Sequence, residues 1–275
     1  MTASLGYENK RVIVSGCFSG MGEATARLLL ELGAEVHGLD YKDCTLPLAS
    51  FTRADLRDPT SIETAVDKIG GKLDALFNCA GLPQTFPPLD VMKVNFVGTR
   101  HLTNQVIARM SKGGAIASIS SNGGLGWSRR MPQIMELLKT QSYQDAVKWC
   151  EDHMDVVREG YSLSKEAVIV WTMMASNHLI NRGIRINCTT PGPTQTPMMA
   201  DFEAATARIV LDTAMKPINR LSTPKEQAAP LVFLNSDWAS FVNGVSFPID
   251  GGFMGGLATG QIDITPMMGG TAAQS

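Results

Sequence analysis

Residues 11–40 read RVIVSGCFSGMGEATARLLLELGAEVHGLD, and this stretch decides the fold. Residues 11–15 read as a short buried strand, with Val12, Ile13 and Val14 apolar and β-branched. A glycine cluster follows, with Gly16, Gly20 and Gly22 spaced as G-x-x-x-G-x-G. Residues 23–32 have helical composition and stop at Gly33. Residues 34–40 make a second strand that ends in an acid, Asp40. Strand, glycine turn, helix and strand in that order form a βαβ unit.

The turn suits a phosphate. Without side chains the backbone can approach a pyrophosphate, and the helix behind it offers free N–H groups and the positive end of its dipole. A tight turn with no ligand is the plainer alternative. Asp40, eighteen residues beyond Gly22, can accept bonds from both hydroxyls of an adenosine ribose. It would repel a 2′-phosphate, which favours NAD over NADP. A strand-end Asp that merely starts a turn is the bland reading, and Lys42, a cation nearby, argues for a phosphate.

The alternation continues downstream. Strands are expected at 50–55, 73–78, 115–121, 184–188 and 245–249, and helices at 59–69, 89–110, 161–181 and 224–234. The pattern implies an α/β protein with a Rossmann-type, doubly wound parallel sheet in a single domain spanning residues 1–275. Residues 122–160 stand apart as a helical insertion with helices near 131–139 and 142–158. On the second, Val147, Cys150, Met154 and Val157 share one face. That face either packs on the domain or also walls a substrate cleft. In the second case Met131, Met135 and Met154 can adapt to a bulky apolar ligand, with Met198, Met199 and Phe202 opposite. Residues 253–275 read as a lid, an oligomer contact or a loose tail.

Composition narrows the function classes. The 275 residues carry 24 basic and 26 acidic side chains, so no basic surplus points to nucleic acid or to an anionic membrane. The five cysteines are widely spaced without a C-x-x-C, which argues against a disulfide framework or a zinc site. His37, His101, His153 and His178 lack the paired spacing of metal ligands, so no metal is expected. No signal-like apolar run opens the chain and no stretch has bilayer length, so the expected location is cytoplasmic.

Chemistry gathers elsewhere. Tyr161 and Lys165 lie four apart at the start of a helix and so share a face. An ammonium beside a phenol favours the phenolate and lets the pair exchange a proton near neutral pH. Ser120 and Ser121 end a strand, where parallel sheets collect ligands, although a serine there can equally be a cap. Asn95 sits inside a helix, an unfavourable place that suggests a buried hydrogen-bonding task.

Together these residues resemble the short-chain dehydrogenase/reductase family, from residue 10 to residue 252. Gly16, Gly20 and Gly22 match its cofactor turn, with Ser15 where Thr is usual. Asp55 matches an acid that contacts adenine. Asn78-Cys79-Ala80-Gly81 matches N-N-A-G with Cys79 replacing an Asn. Asn95, Ser121, Tyr161 and Lys165 match the catalytic tetrad in order. Pro191-Gly192 through Thr194 and Thr196 matches the loop that holds the nicotinamide amide, and residues 248–252 match the end of the last strand.

The resemblance implies Tyr161 as general acid/base, Lys165 as the group that lowers its pKa and binds the nicotinamide ribose, Ser121 as the holder of the substrate oxygen, and Asn95 as the support of a water beside Lys165. It implies NAD as cofactor, bound by Gly16, Ser19, Gly20, Met21, Gly22, Asp40, Asp55, Leu56, Asn78, Ala80, Gly81, Tyr161, Lys165, Pro191, Gly192, Thr194 and Thr196. A homodimer or homotetramer is also implied.

Two departures matter. Little room is left for a helix between Asp40 and Ser50, and Tyr161 comes forty positions after Ser121. The long insertion is similar to the 3α-hydroxysteroid dehydrogenase/carbonyl reductase branch, and bacterial aryl-alcohol and coniferyl-alcohol dehydrogenases are similar too. The expected reaction interconverts a bulky apolar secondary alcohol and its ketone by hydride transfer. An aryl- or terpene-alcohol dehydrogenase and a non-catalytic dinucleotide sensor are the alternatives. An epimerase or dehydratase is a third, though only some 23 residues follow Gly252.

Overall fold

The computed structural model describes residues 5–265. Strand β1 (Arg11–Ser15) leads through the glycine turn into α1 (Gly20–Glu31), then β2 (Glu35–Asp40) and β3 (Ser50–Arg53). Residues 41–49 carry no helix, as the short spacing suggested. Helix α2 (Pro59–Ile69) and β4 (Leu73–Asn78) follow. Then come α3 (Pro88–Met92), a π-helical stretch Lys93–Gly98, α4 (Thr99–Ile107) and β5 (Met110–Ile119). The insertion supplies α5 (Met131–Lys139), α6 (Tyr143–Asp152) and α7 (Met154–Val157). The chain returns with α8 (Tyr161–Leu179), β6 (Arg185–Pro191), α9 (Met199–Ala205), α10 (Arg208–Met215), α11 (Pro224–Asn235), β7 (Ser246–Ile249) and α12 (Phe253–Ala258).

All seven strands are parallel, in the order β3-β2-β1-β4-β5-β6-β7. Order reverses after β1, because β2 and β3 lie to one side and β4 to the other, which opens a crevice at the strands' carboxyl ends. Strand side chains alternate between faces. Ile13, Leu76, Ile116 and Ile186 enter a core with α2, α4, α8 and the insertion. Val12, Val14, Phe77 and Ala117 enter a second core with α1 and α11. Burial on both faces explains the near-continuous apolar strands.

Several boundaries differ from the sequence reading. Helix α1 begins at Gly20, not residue 23, because Ser19 is already an extended N-cap. Strand β5 begins at Met110, with a register shift against β4 between Leu73 and Ala75. The long helix expected at 89–110 is one helical run with a π segment inside it. The expected helix at 142–158 breaks at His153 into α6 and α7.

The insertion packs on the domain. Ile134, Leu137, Tyr143, Ala146, Cys150 and Val157 join the core built by α4 and α8. Three polar ties hold it. Arg100 on α4 donates to the Leu137 carbonyl and to Thr140 Oγ1 at the end of α5. Arg130 pairs with the buried Glu166 of α8 at 2.8 Å. Tyr143 donates to the Leu56 carbonyl at 3.2 Å. The expected face is broken: Met154, beyond the His153 kink, is 42% exposed, while Met131 and Met135 lie at the margin of the core cluster. Helical apolar residues here are core packing first. Of the expected tail, residues 253–258 form α12, and residues 266–275 lie outside the described residues.

Candidate active site

The cofactor edge is built from backbone. Gly16 has φ +75°, and a Cβ there would come within 2.6 Å of the Ala80 nitrogen, so the strand-to-helix turn and the 78–81 segment can meet only at a glycine. The Ser15 hydroxyl accepts from the Cys79 and Ala80 N–H groups and fixes that meeting. Ser19 caps α1 without a side-chain bond, which leaves the first-turn N–H groups for a ligand. Asp40 closes β2: Oδ2 accepts from the Phe18 N–H and Oδ1 from the Lys42 N–H, both at 2.9 Å. Lys42 places its Nζ 5.3 Å from the Phe18 ring centroid. These residues fit a dinucleotide, with a pyrophosphate at Gly16–Gly22 and a ribose at Asp40.

Two residues assigned to the cofactor by resemblance also bond within the protein. Asp55 is bound by Arg57 through both carboxylate oxygens, and the guanidinium holds its carboxyl below the usual range. The Asn78 side chain donates to Thr103 and Ser118, so its amide braces β4 against α4 and β5 inside the core. Burial pushes the Cys79 thiol up to about 12, which disfavours its thiolate.

The four expected catalytic residues converge. Gly160 (φ +78°) turns the chain out of the insertion, and a Cβ would lie 2.5 Å from the Pro88 carbonyl oxygen. Tyr161 is therefore delivered at the very start of α8, with Lys165 one turn on. The Ser121 hydroxyl hydrogen-bonds to Tyr161 and also accepts from the Gly123 N–H at 3.0 Å. Lys165 Nζ sits 5.6 Å from the Tyr161 ring centroid and donates to the Ile119 carbonyl at 2.9 Å.

The electrostatics differ from the simple phenol–ammonium picture. Burial pushes Tyr161 up to about 12, opposed by its bond to Ser121, and burial brings Lys165 down to about 8. The protein groups alone do not acidify the phenol, since the ammonium points to the Ile119 carbonyl. A phosphate or ribose ligand beside Lys165 changes that balance by favouring its charged form.

Asn95 explains the π segment around it. Its Oδ1 accepts from the Leu82 N–H at 2.7 Å, and its Nδ2 donates to the Leu82 carbonyl and to Ser164 Oγ. One extra residue in that turn aims this amide across to the loop after β4, as π-bulges at functional sites do. Asn95→Ala leaves both Leu82 backbone groups unpaired. We expect a loss of about 2–3 kcal/mol in urea unfolding, and an unchanged midpoint would refute this bracing role.

The loop after β6 completes the crevice. The Gly192 N–H donates to the Ile249 carbonyl, and Thr194 Oγ1 meets Gly192 and Ser222. Thr196 lies against Gly20, so the loop spans from β6 to the start of α1. Beyond it, α9 carries Phe202 edge-on to the Tyr161 ring, with centroids 5.1 Å apart and planes at 76°. Met199 is buried at the base of α9. Of the residues expected opposite the insertion, Phe202 packs on Tyr161 and Met199 is buried.

Other residues at this site went unread. Asn122, beside Ser121, has both amide atoms buried without a partner among the described residues, and it lies close to Gly192. Gln84 and Thr85, in an unpatterned loop, bond across to Thr206 and Asp201. No motif marks them; only the folded crevice brings them there.

A dinucleotide crevice and a Ser–Tyr–Lys cluster at the same sheet edge define a nicotinamide-dependent oxidoreductase acting on alcohols. A family model described as short chain dehydrogenase matches residues 10–132, and one described as enoyl-(acyl carrier protein) reductase matches residues 150–254. The residues between them fall in the insertion. A coniferyl-alcohol dehydrogenase of Pseudomonas sp. is 34% identical over 245 residues, 89% of this chain and 96% of that protein. The 3-alpha-hydroxysteroid dehydrogenase/carbonyl reductase of Comamonas testosteroni is 27% identical, over 88% and 95%. The solved 3-alpha-hydroxysteroid dehydrogenase from Pseudomonas sp. B-0831, complexed with NADH, superposes with a TM-score of 0.75 at 27% identity, covering 92% of this chain and 99% of that one. This chain belongs to the short-chain dehydrogenase/reductase family.

Proposed function

We propose that the protein is an NAD(H)-dependent dehydrogenase that interconverts a bulky, ring-bearing secondary alcohol and its ketone. The observation that carries the reading is the edge-on packing of Phe202 on Tyr161, which sets an apolar aromatic side chain against the ring of the proton-exchanging residue. In alcohol oxidation Ser121 holds the substrate oxygen and Tyr161 Oη takes its proton. Lys165 supplies positive charge beneath the ring. A nicotinamide dinucleotide, which the Gly16–Gly22 turn and Asp40 would hold, would supply the hydride-accepting chemistry. Asp40 supports NAD over NADP by its place at the end of β2.

A second reading, oxidation of an aryl alcohol of the coniferyl type, is favoured by the 34% identity to that dehydrogenase over 96% of its length. The complete Asn95, Ser121, Tyr161 and Lys165 set argues against a non-catalytic sensor. For assembly we place a second copy on β7 and the segment before it, where Phe247, Trp238 and Phe241 are exposed. The five cysteines are all free thiols, which fits a reducing, cytoplasmic setting.

The test is NADH formation from NAD with ring-bearing secondary alcohols, aryl alcohols and isopropanol, repeated with NADP. Turnover of ring-bearing secondary alcohols supports the proposal; turnover confined to aryl primary alcohols supports the second reading. NADH binding without any turnover would leave a sensor. Phe202→Ala should lower kcat/KM on the ring-bearing substrate roughly 10- to 100-fold and on isopropanol far less. Equal losses on both would remove Phe202 from the wall.

A further inference from the structure

We propose that Gln84 and Thr85 are positioning residues that latch α9, and with it Phe202, over Tyr161. Two side-chain bonds cross the cleft between the loop after β4 and the far side of α9. Gln84 Nε2 donates to Thr206 Oγ1 at 3.0 Å, and Thr85 Oγ1 donates to Asp201 Oδ1 at 2.8 Å. Asp201 directly precedes Phe202 in the chain. The Thr206 N–H donates to the Phe202 carbonyl at 2.8 Å, so both latch points move with the ring.

The near side of the latch is anchored to the catalytic set. Asn95 holds both backbone groups of Leu82, two residues before Gln84, and also reaches Ser164 on the catalytic helix. A continuous path therefore runs from Asn95 through Leu82 and Gln84 to α9 and back through Phe202 to Tyr161. Helix α9 needs such a hold, because it spans seven residues and buries only Met199 among them. Apolar packing alone fixes it weakly.

The latch is reversible by construction. Gln84 Oε1 is buried with no partner among the described residues. Opening returns that acceptor to water, so the closed arrangement carries its own tendency to open. Closure places the aromatic wall; opening admits and releases the alcohol. These two bonds, one neutral and one to an exposed carboxylate, correspond to roughly tenfold in the closed-to-open ratio. Because closure follows substrate entry, that factor falls mainly on KM.

The kinetic arm of the test rests on the alcohol-dehydrogenase reading above; a hydrogen-exchange arm does not. Amide exchange of residues 199–206 is followed in the full chain, alone and with NADH, for wild type, Thr85→Val, Thr85→Ser and Gln84→Leu/Thr85→Val. We expect exchange about tenfold faster in the double variant, an intermediate effect in Thr85→Val and near-wild-type protection in Thr85→Ser. KM for a ring-bearing alcohol should rise about tenfold in the double variant, with kcat and NADH affinity nearly unchanged. In a Phe202→Ala background the latch substitutions should no longer move KM.

Unchanged exchange overturns the latch, whatever substrate the enzyme takes. Faster exchange with an unchanged KM, or an equal KM effect without Phe202, overturns the positioning role. If wild type oxidises no alcohol, the functional reading fails, and the exchange arm still decides the latch. Thr85 is exposed, so its single variants keep the test open if the double variant misfolds.

Discussion

Tyr161→Phe should lower alcohol turnover by about 10³-fold while NADH affinity stays within a factor of two or so, because one positioned proton acceptor contributes roughly 10²–10⁴-fold. The variant removes a single oxygen. It keeps the ring that Phe202 packs on and the glycine-led start of α8. Ser121 loses a hydrogen-bond partner but keeps the Gly123 N–H.

The sign of the pH dependence follows from the site. Oxidation needs Tyr161 able to accept a proton, and its hydroxyl lies above its ordinary pKa, at about 12, by burial. Turnover of the alcohol should therefore climb with pH, whereas ketone reduction, which needs the protonated hydroxyl, should decline. Lys165, brought down to about 8 in the free protein, is kept charged by a ribose beside it and so supports the climb. Tyr161→Phe should flatten the tyrosine-dependent limb of both profiles. A Phe variant that retains wild-type turnover with the same profile would assign the proton step to another group.

Much of this arrangement is legible in the sequence because it is local. The glycine turn, the acid ending β2 and the Tyr161–Lys165 spacing each depend on a few neighbouring residues whose geometry is set by strand or helix period. The parallel, doubly wound character of the sheet follows from the alternation of strands and helices. Other features depend on contacts between distant segments. The π segment at Lys93–Gly98 arises where Asn95 finds both backbone groups of Leu82, and helix periodicity contains no sign of it. The apolar residues of the insertion show the helical spacing of a core face and of a pocket wall alike. Only its ties through Arg100, Arg130 and Tyr143 decide for the domain face, and the break at His153 turns Met154 outward. Asp55 and Asn78 were read by their place in a motif, yet Arg57 and Thr103 determine what their side chains do. Gln84 is invisible for the same reason: its partner lies 122 positions away.

Asp40→Asn should move cofactor preference from NAD toward NADP by roughly 10²–10³-fold in the ratio of kcat/KM. Two effects add. A charge-assisted bond to a ribose hydroxyl is weakened, worth about 1.5–3 kcal/mol. Repulsion between a carboxylate and a 2′-phosphate, about 1 kcal/mol at 4 Å in a solvent-exposed corner, is removed. Asn is the better probe than Ala because one amide oxygen can still accept from the Phe18 N–H, so the glycine turn keeps its shape. Lys42 supplies the other half of the argument. Its Nζ already lies over the Phe18 ring at the mouth of this corner, and a phosphate arriving beside residue 40 meets a cation in place. Adding Lys42→Ala to Asp40→Asn should therefore reverse much of the NADP gain while leaving NAD kinetics nearly untouched. High salt should shrink the same gain, because Lys42 is exposed. Wild type that prefers NADP, or a ratio that does not move in Asp40→Asn, would show that the end of β2 does not read the ribose and that another part of the crevice selects the cofactor.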